Sequence, residues 1–133
     1  MARLASLLVG FIALEHLWFL ILEMFLWQHP AIIQAFRTTA AISRDTAILA
    51  ANQGLYNGIL AAGLLWSLVT TNAKEALHLK TFFLAAVLVA GLYGGLTAFP
   101  FILAVQALPA MLALILVRFV GSKGSRTTAG LTL

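Results

Sequence analysis

The hydrophobic pattern along the chain consists of four long apolar segments separated by short polar stretches. Crossing about 30 Å of hydrocarbon as a helix takes roughly 20 mostly apolar residues, and each segment is about that long. Because backbone groups in lipid must be hydrogen-bonded within the segment, and the alternation typical of barrel strands is missing from the sequence, we expect helices. The predicted spans cover residues 4–27, 46–70, 76–96 and 100–120.

Local capping signals mark the starts of three of these segments. Ser43 and Thr46 carry side chains suited to an N-cap before the second span. Asn72 and Glu75 have capping-box spacing before the third span. Pro100 fits the first turn of the fourth span, because its missing N–H has no helical partner there. The sequence therefore predicts helix starts close to these residues.

The connections between the spans differ in length and character. The first loop, 28–45, is the longest, and its 30–36 stretch predicts a short interfacial helix. A tight turn at 97–99 predicts that the third and fourth spans form a hairpin. The chain becomes polar and rich in Gly, Ser and Thr at 121–133, which predicts a flexible tail. The predicted fold is an all-α antiparallel bundle of four transmembrane helices, followed by this tail.

Composition supports a membrane protein and excludes several other classes. Hydrophobic residues make up 62% of the 133-residue chain and charged residues only 9%, and the mean hydropathy is +1.03. Soluble chains are about 45–50% apolar and about 25% charged. The absence of cysteine removes disulfides, thiolate metal sites and cysteine nucleophiles. The net charge of +4 comes from singly scattered basic residues, so we expect no nucleic-acid partner but contacts with membrane lipids.

Basic residues are unevenly divided between the two ends of the predicted spans. Cytoplasmic loops of membrane proteins carry the excess of Lys and Arg, which predicts that both termini are cytoplasmic. The opposite side carries only Arg37 and Arg44. The basic residues on the predicted cytoplasmic side are Arg3, Lys74, Lys80, Arg118, Lys123 and Arg126.

Polar residues inside the predicted spans fall at similar depths. Glu15 lies near the middle of the first span, and Glu23 lies roughly 12 Å further out at 1.5 Å per residue. The other polar residues also fall in the outer half or near the midplane, so we expect a polar ligand pocket in the outer half of the bundle. The predicted lining comprises Glu15, His16, Glu23, Asn52, Gln53, Tyr56, Asn57, Tyr93 and Gln106.

Helical periodicity groups the residues of the second span into two faces. At about 100° per residue, its four polar residues share one side: Asn52, Gln53, Tyr56 and Asn57. Opposite them lie small residues with four-residue spacing, which allow close helix packing and offer a face for a homo-oligomer: Ala50, Gly54, Gly58 and Ala62. Gly91 and Gly95 repeat this spacing on the third span. In the fourth span, Pro109 removes a backbone donor beside Gln106.

Three ionisable residues of the first span are candidates for chemistry. Charged side chains are costly within a membrane and are candidates for function by default. Glu15 and His16 would be the acid and base of a catalytic site, with Glu23 as a further ligand-binding carboxylate. Adjacent positions 15 and 16 diverge on a helix, so no metal site is predicted, and we expect no cofactor.

Several short motifs resemble a known family. The strings LEHL at 14–17, LEMFLW at 22–27 and ANQGLYNG at 51–58 are similar to domain of unknown function 1304, a family of small bacterial membrane proteins. The strings VAGLYG at 89–94 and QALPA at 106–110 fit the third and fourth helices of that family. The resemblance implies a four-helix protein of the bacterial cytoplasmic (inner) membrane. It implies no particular activity.

Three functions are compatible with the clustered polar residues, and we favour binding of a small amphipathic or lipid-like ligand. A membrane-embedded acid–base enzyme, an isomerase or hydrolase of a lipid-like substrate, is the second hypothesis. The third is a proton-coupled exporter, because a glutamate in the first of four short spans is similar in layout to small multidrug resistance transporters. A purely structural or partner-binding role is the remaining alternative.

Overall fold

A computed structural model describes the main chain of residues 2–129 and the side chains of residues 2–119. These residues form helices joined by short turns, with no β-strand among them, which confirms the predicted all-α class. The helices are α1 (Ala2–Phe25), α2 (Pro30–Ala35), α3 (Ala40–Asp45), α4 (Ala47–Val69), α5 (Ala73–Thr97), a π-helix (Leu103–Ala107) and α6 (Leu108–Ala129).

Three of these helices are long and apolar enough to cross a membrane. They are α1, α4 and α5, with 24, 23 and 25 residues. A shorter apolar helical stretch, Leu103–Phe119, corresponds to the fourth predicted span. Large hydrophobic side chains such as Leu7, Ile48 and Val69 are exposed along these helices. Exposed apolar surface of this extent is typical of a protein whose solvent is lipid.

The chain divides into two compact units, and the division falls within α1 and within α4. The first unit contains residues up to Ile12 together with those from Gly63 onwards. Its largest fully buried apolar side chains come from α1, α4 and α5: Val9, Ile12, Leu64, Leu84 and Val87. Within this unit, Gly63 lies directly against the ring of Phe83, which leaves no room there for a side chain.

A π-helical turn precedes α6 in the first unit. The N–H of Leu108 donates to the carbonyl of Leu103, five residues earlier, instead of four as in an α-helix. Pro109 follows directly and has no N–H, so it cannot continue an α-helical hydrogen-bond ladder. The sequence predicts a missing donor at Pro109, and the π-turn is how the structure accommodates it.

Helix α5 approaches the π-turn at main-chain distance. A Cβ atom added to Gly91 would lie 2.7 Å from the amide nitrogen of Ala107 and 3.0 Å from its Cα. Gly95, one turn later, lies equally close to Leu103. The small residues predicted for helix packing on the third span therefore contact their own chain.

The second unit, Ala13–Ala62, contains the rest of α1, the two short helices and the first part of α4. The predicted short helix at 30–36 is present as α2, and the side chain of His29 accepts a hydrogen bond from the Ala31 N–H at its start. Thr39 caps α3 by accepting from the Ile42 N–H at 3.2 Å. The long predicted loop is therefore largely helical.

The predicted capping residues behave differently at the two long helices. Asn72 Oδ1 accepts hydrogen bonds from the N–H groups of Lys74 and Glu75, at 3.0 and 3.1 Å, which confirms the predicted start of α5. At the start of α4 the prediction is wrong, because the hydroxyl groups of Ser43 and Thr46 donate to backbone carbonyls that precede the helix. Helix α3 ends directly before Thr46, so the hydrogen bonds of Ser43 and Thr46 stabilise the junction between α3 and α4.

The end of the described chain is helical. Helix α6 continues to Ala129, past the predicted end of the fourth span at residue 120. The segment 121–133 therefore begins as a continuation of α6, and residues 130–133 lie outside the described part of the chain. Its flexibility stays a prediction.

Candidate functional site

A carboxylate–amide pair links α1 to α4 within the second unit. Asn57 Nδ2 donates a hydrogen bond to Glu23 Oε2 at 2.7 Å. The Asn57 side chain is buried, at 6% exposure, and Glu23 is partly buried. Hydrogen bonds to a carboxylate are shorter and stronger than those between neutral groups. Both residues are predicted site residues, and the structure brings them into direct contact.

Gly54 makes this contact possible. A Cβ atom at Gly54 would lie 2.7 Å from Met24 Cγ, 3.1 Å from Glu23 Cβ and 3.1 Å from the Leu20 carbonyl oxygen. Gly58, one turn later, lies directly against the Leu20 side chain. Small residues let helix backbones approach closely. The two glycines therefore hold α1 and α4 near enough for Asn57 to reach Glu23.

A second set of hydrogen bonds fixes the chain at the end of α1. The indole Nε1 of Trp27 donates to Thr46 Oγ1 at 3.0 Å, and Ser43 Oγ donates to the Trp27 carbonyl at 2.9 Å. The Trp27 ring also packs edge-on against Phe36, with ring centroids 5.4 Å apart. Trp27 follows Glu23 by about one helical turn, so these contacts restrain the α1 segment that carries the carboxylate.

The polar residues of α4 are divided between two faces. Asn52, Gln53 and Tyr56 are exposed, with Tyr56 at 55%, whereas Asn57 is buried. The prediction that all four share one side, opposite the glycines, is wrong for Asn57. Residues three apart differ by only about 60° around a helix, so Asn57 lies on the same side as Gly54 and contacts α1.

Glu15 and His16 lie in different surroundings although they are adjacent in sequence. His16 is completely buried and packs edge-on against Phe19, with ring centroids 5.6 Å apart. Glu15 is partly buried, and its Oε2 atom is buried with no hydrogen-bond partner among the described residues. A buried carboxylate oxygen without a partner is uncommon in folded proteins, so Glu15 remains a candidate for a functional role.

Tyr93 and Gln106, the two remaining predicted site residues, belong to the first unit. The Tyr93 side chain is 72% exposed, and its backbone carbonyl accepts a hydrogen bond from the Thr97 hydroxyl. Gln106 lies inside the π-turn and is partly buried. Their predicted role as pocket lining stays a prediction. Across the described residues, no three His, Asp or Glu side chains are grouped as metal ligands.

Sequence reasoning missed the Trp27–Thr46 contact and the π-turn. The indole of Trp27 predicts an interfacial anchor, and nothing in the local pattern identifies Thr46 as its acceptor. For the π-turn, Pro109 is a usable signal, because a proline inside an apolar helix removes one donor. The hydrogen-bond register that results depends on how closely α5 packs against the turn.

The Glu23–Asn57 bond has a measurable energy. In a double-mutant cycle with Glu23→Ala and Asn57→Ala, we expect a coupling energy between about 0.6 and 1.7 kcal/mol, which are the average and the maximum found for interhelical hydrogen bonds in a membrane protein. The measurement is the free energy of unfolding in detergent for the single and double variants. Glu23→Ala combined with Asn52→Ala is the matched control, and it should be additive because Asn52 is exposed. Equal coupling energies in the two cycles would contradict a direct hydrogen bond between Glu23 and Asn57.

The fold and this cluster define a class: a small, all-helical protein with three membrane-length apolar helices and a carboxylate–amide pair between two of them. Within that class, residues 10–118 match the family described as Protein of unknown function (DUF1304), and the chain belongs to this family. The matched range includes all of the predicted site residues. Neither the curated proteins nor the solved structures include a match to the chain.

Proposed function

We propose that the protein spans the membrane four times with both termini in the cytoplasm, and binds a small amphipathic or lipid-like ligand through the polar cluster of α1 and α4. Three long apolar helices and a shorter fourth one support the spans. The excess of Lys and Arg on the side of the termini supports the orientation. The proposed location is the cytoplasmic membrane of a bacterium, as the family resemblance implies.

The Glu23–Asn57 hydrogen bond is the observation that carries the ligand proposal. It lies between two long apolar helices, where an ionisable residue is costly and is a candidate for function by default. The bond uses one carboxylate oxygen and one amide hydrogen. A carboxylate can accept about four hydrogen bonds and an amide oxygen two, so the pair retains acceptors for the donors of a ligand.

The exposed side chains of α4 define what kind of ligand would fit. Gln53, one turn before Asn57, and Tyr56 extend the polar surface, while Leu55 and Ile59 are exposed hydrophobic residues on the same helix. A ligand with a hydroxyl or amine head group and an apolar body matches both kinds of surface. The head group would donate to Glu23, and the apolar body would lie along the helix in the lipid.

Native mass spectrometry of gently extracted protein tests this proposal. We expect the wild type to retain a non-phospholipid mass. In Asn57→Leu, retention of that mass should fall by at least tenfold, because leucine removes the amide and leaves Glu23 without its partner. Gln34→Leu is the matched control, since Gln34 is an exposed amide on α2 outside the cluster. Retention of ordinary phospholipids alone by the wild type and both variants would contradict the proposal.

The buried Oε2 atom of Glu15 favours catalysis as a second candidate function. Glu15 would transfer a proton to or from a lipid-like substrate, with His16 as the second acid–base group. In the same spectra, a chemically altered ligand in the wild type that disappears in Glu15→Gln would support this enzyme. An unaltered ligand in both proteins would leave binding as the function.

A further inference from the structure

An apolar cleft of about 500 Å³ lies between the start of α1 and the first half of α6, both in the first unit. Helix α1 contributes Leu4, Leu7, Leu8 and Phe11 to its walls. Helix α6 contributes Leu112, Ile115 and Leu116. A cleft with such a lining offers a ligand no hydrogen-bond partner, so its occupant there must be a hydrocarbon chain.

A second cleft, of about 450 Å³, adjoins the first and has a different character. It is lined by Ala2, Arg3, Ser6 and Leu7, and Leu7 is shared between the two clefts. Arg3 is exposed, so its guanidinium is available to a bound group. On α6, Arg118 is also exposed and follows Leu116 by about half a turn. The apolar cleft therefore continues into a surface that carries a cation and a hydroxyl group.

We propose that these two clefts together bind one anionic phospholipid. Its phosphate would accept hydrogen bonds from the Arg3 guanidinium, which matches phosphate geometry, and from the Ser6 hydroxyl. One acyl chain would occupy the apolar cleft between α1 and α6. Charge complementarity identifies the occupant as a phospholipid with net negative charge, because a zwitterionic head group would place a second cation near Arg3.

This site is independent of the ligand cluster proposed above. Its residues belong to the first unit, whereas Glu23 and Asn57 belong to the second. Under the proposed orientation it faces the cytoplasmic leaflet, whose anionic lipids attract basic residues near the surface. Failure of one proposal leaves the other intact, because each uses different variants and a different ligand class.

Lipid competition on the full chain tests the proposal. The protein in detergent is offered equal amounts of phosphatidylglycerol and phosphatidylcholine with the same acyl chains, and native mass spectrometry counts the retained lipids. We expect preferential retention of phosphatidylglycerol. Arg3→Gln should lower that preference about fivefold, the contribution of one basic residue near a membrane surface. Arg37→Gln, an exposed arginine of the second unit, should leave it unchanged.

Variants of the apolar cleft separate the acyl chain from the head group. Leu112→Trp fills the cleft and should reduce retention of both lipids, while Ile48→Trp, at an exposed position on α4, should have no effect. Equal retention of the two lipids by the wild type would overturn the proposal, as would equal effects of Arg3→Gln and Arg37→Gln. Displacement of the lipid by millimolar inorganic phosphate would identify a free anion as the occupant and would also overturn it.

Discussion

Replacing Gly91 by alanine should lower the free energy of unfolding by about 2 kcal/mol. The new methyl group would lie 2.7 Å from the Ala107 nitrogen and 3.0 Å from its Cα, so main-chain atoms of the π-turn would have to move. Overpacking of this kind typically costs about 1–3 kcal/mol, and main-chain neighbours place Gly91 at the upper end. The gain of about 0.5–1 kcal/mol from alanine in a helix offsets only part of the cost.

Gly94→Ala is the matched control for this variant. Gly94 lies on the same helix, and a Cβ atom there would be 3.4 and 3.5 Å from methyl groups of Ile102, which can adjust by a few tenths of an ångström. We expect Gly94→Ala to be neutral or to stabilise the protein by up to about 1 kcal/mol. Unfolding in mixed detergent micelles measures both variants. Equal free energies for the two would mean that α5 does not approach the π-turn as closely as described.

Gly54→Ala should destabilise the protein by about 1 kcal/mol and should also weaken ligand retention. The added methyl group would meet the flexible Met24 side chain at 2.7 Å, but also the Leu20 carbonyl oxygen at 3.1 Å, which cannot rotate away. Helices α1 and α4 would separate by a few tenths of an ångström. The 2.7 Å bond between Asn57 and Glu23 would lengthen with them.

Gly10→Ala provides the control for Gly54→Ala. A Cβ atom at Gly10 would meet Leu68 Cδ1 at 3.7 Å, an ordinary van der Waals distance, so the variant should be as stable as the wild type or slightly more so. Both variants are compared by unfolding in detergent and by native mass spectrometry. If Gly54→Ala proved as stable as Gly10→Ala, with undiminished ligand retention, Gly54 would have no role in positioning the Glu23–Asn57 pair.

The sequence by itself determined the helices and several of their ends. Long apolar runs predict α1, α4 and α5, because a helix that crosses a membrane needs apolar side chains on all of its faces. Asn72 predicts the start of α5, and the 30–36 stretch predicts α2, because capping and turn chemistry act within a few residues. The polar residues that define the candidate site can also be identified from the sequence, since they interrupt apolar segments.

Only the tertiary structure decided which of these polar residues meet. Periodicity gives the angle of a residue around its own helix, but the partner depends on how far that helix is rotated and how closely its neighbour approaches. Gly54 sets that approach, so the buried Asn57 contacts Glu23 while Asn52 remains exposed. The Trp27–Thr46 bond also depends on tertiary packing, because its two residues are distant in sequence. The π-turn depends on tertiary packing as well, since its hydrogen-bond register adjusts to the close approach of α5.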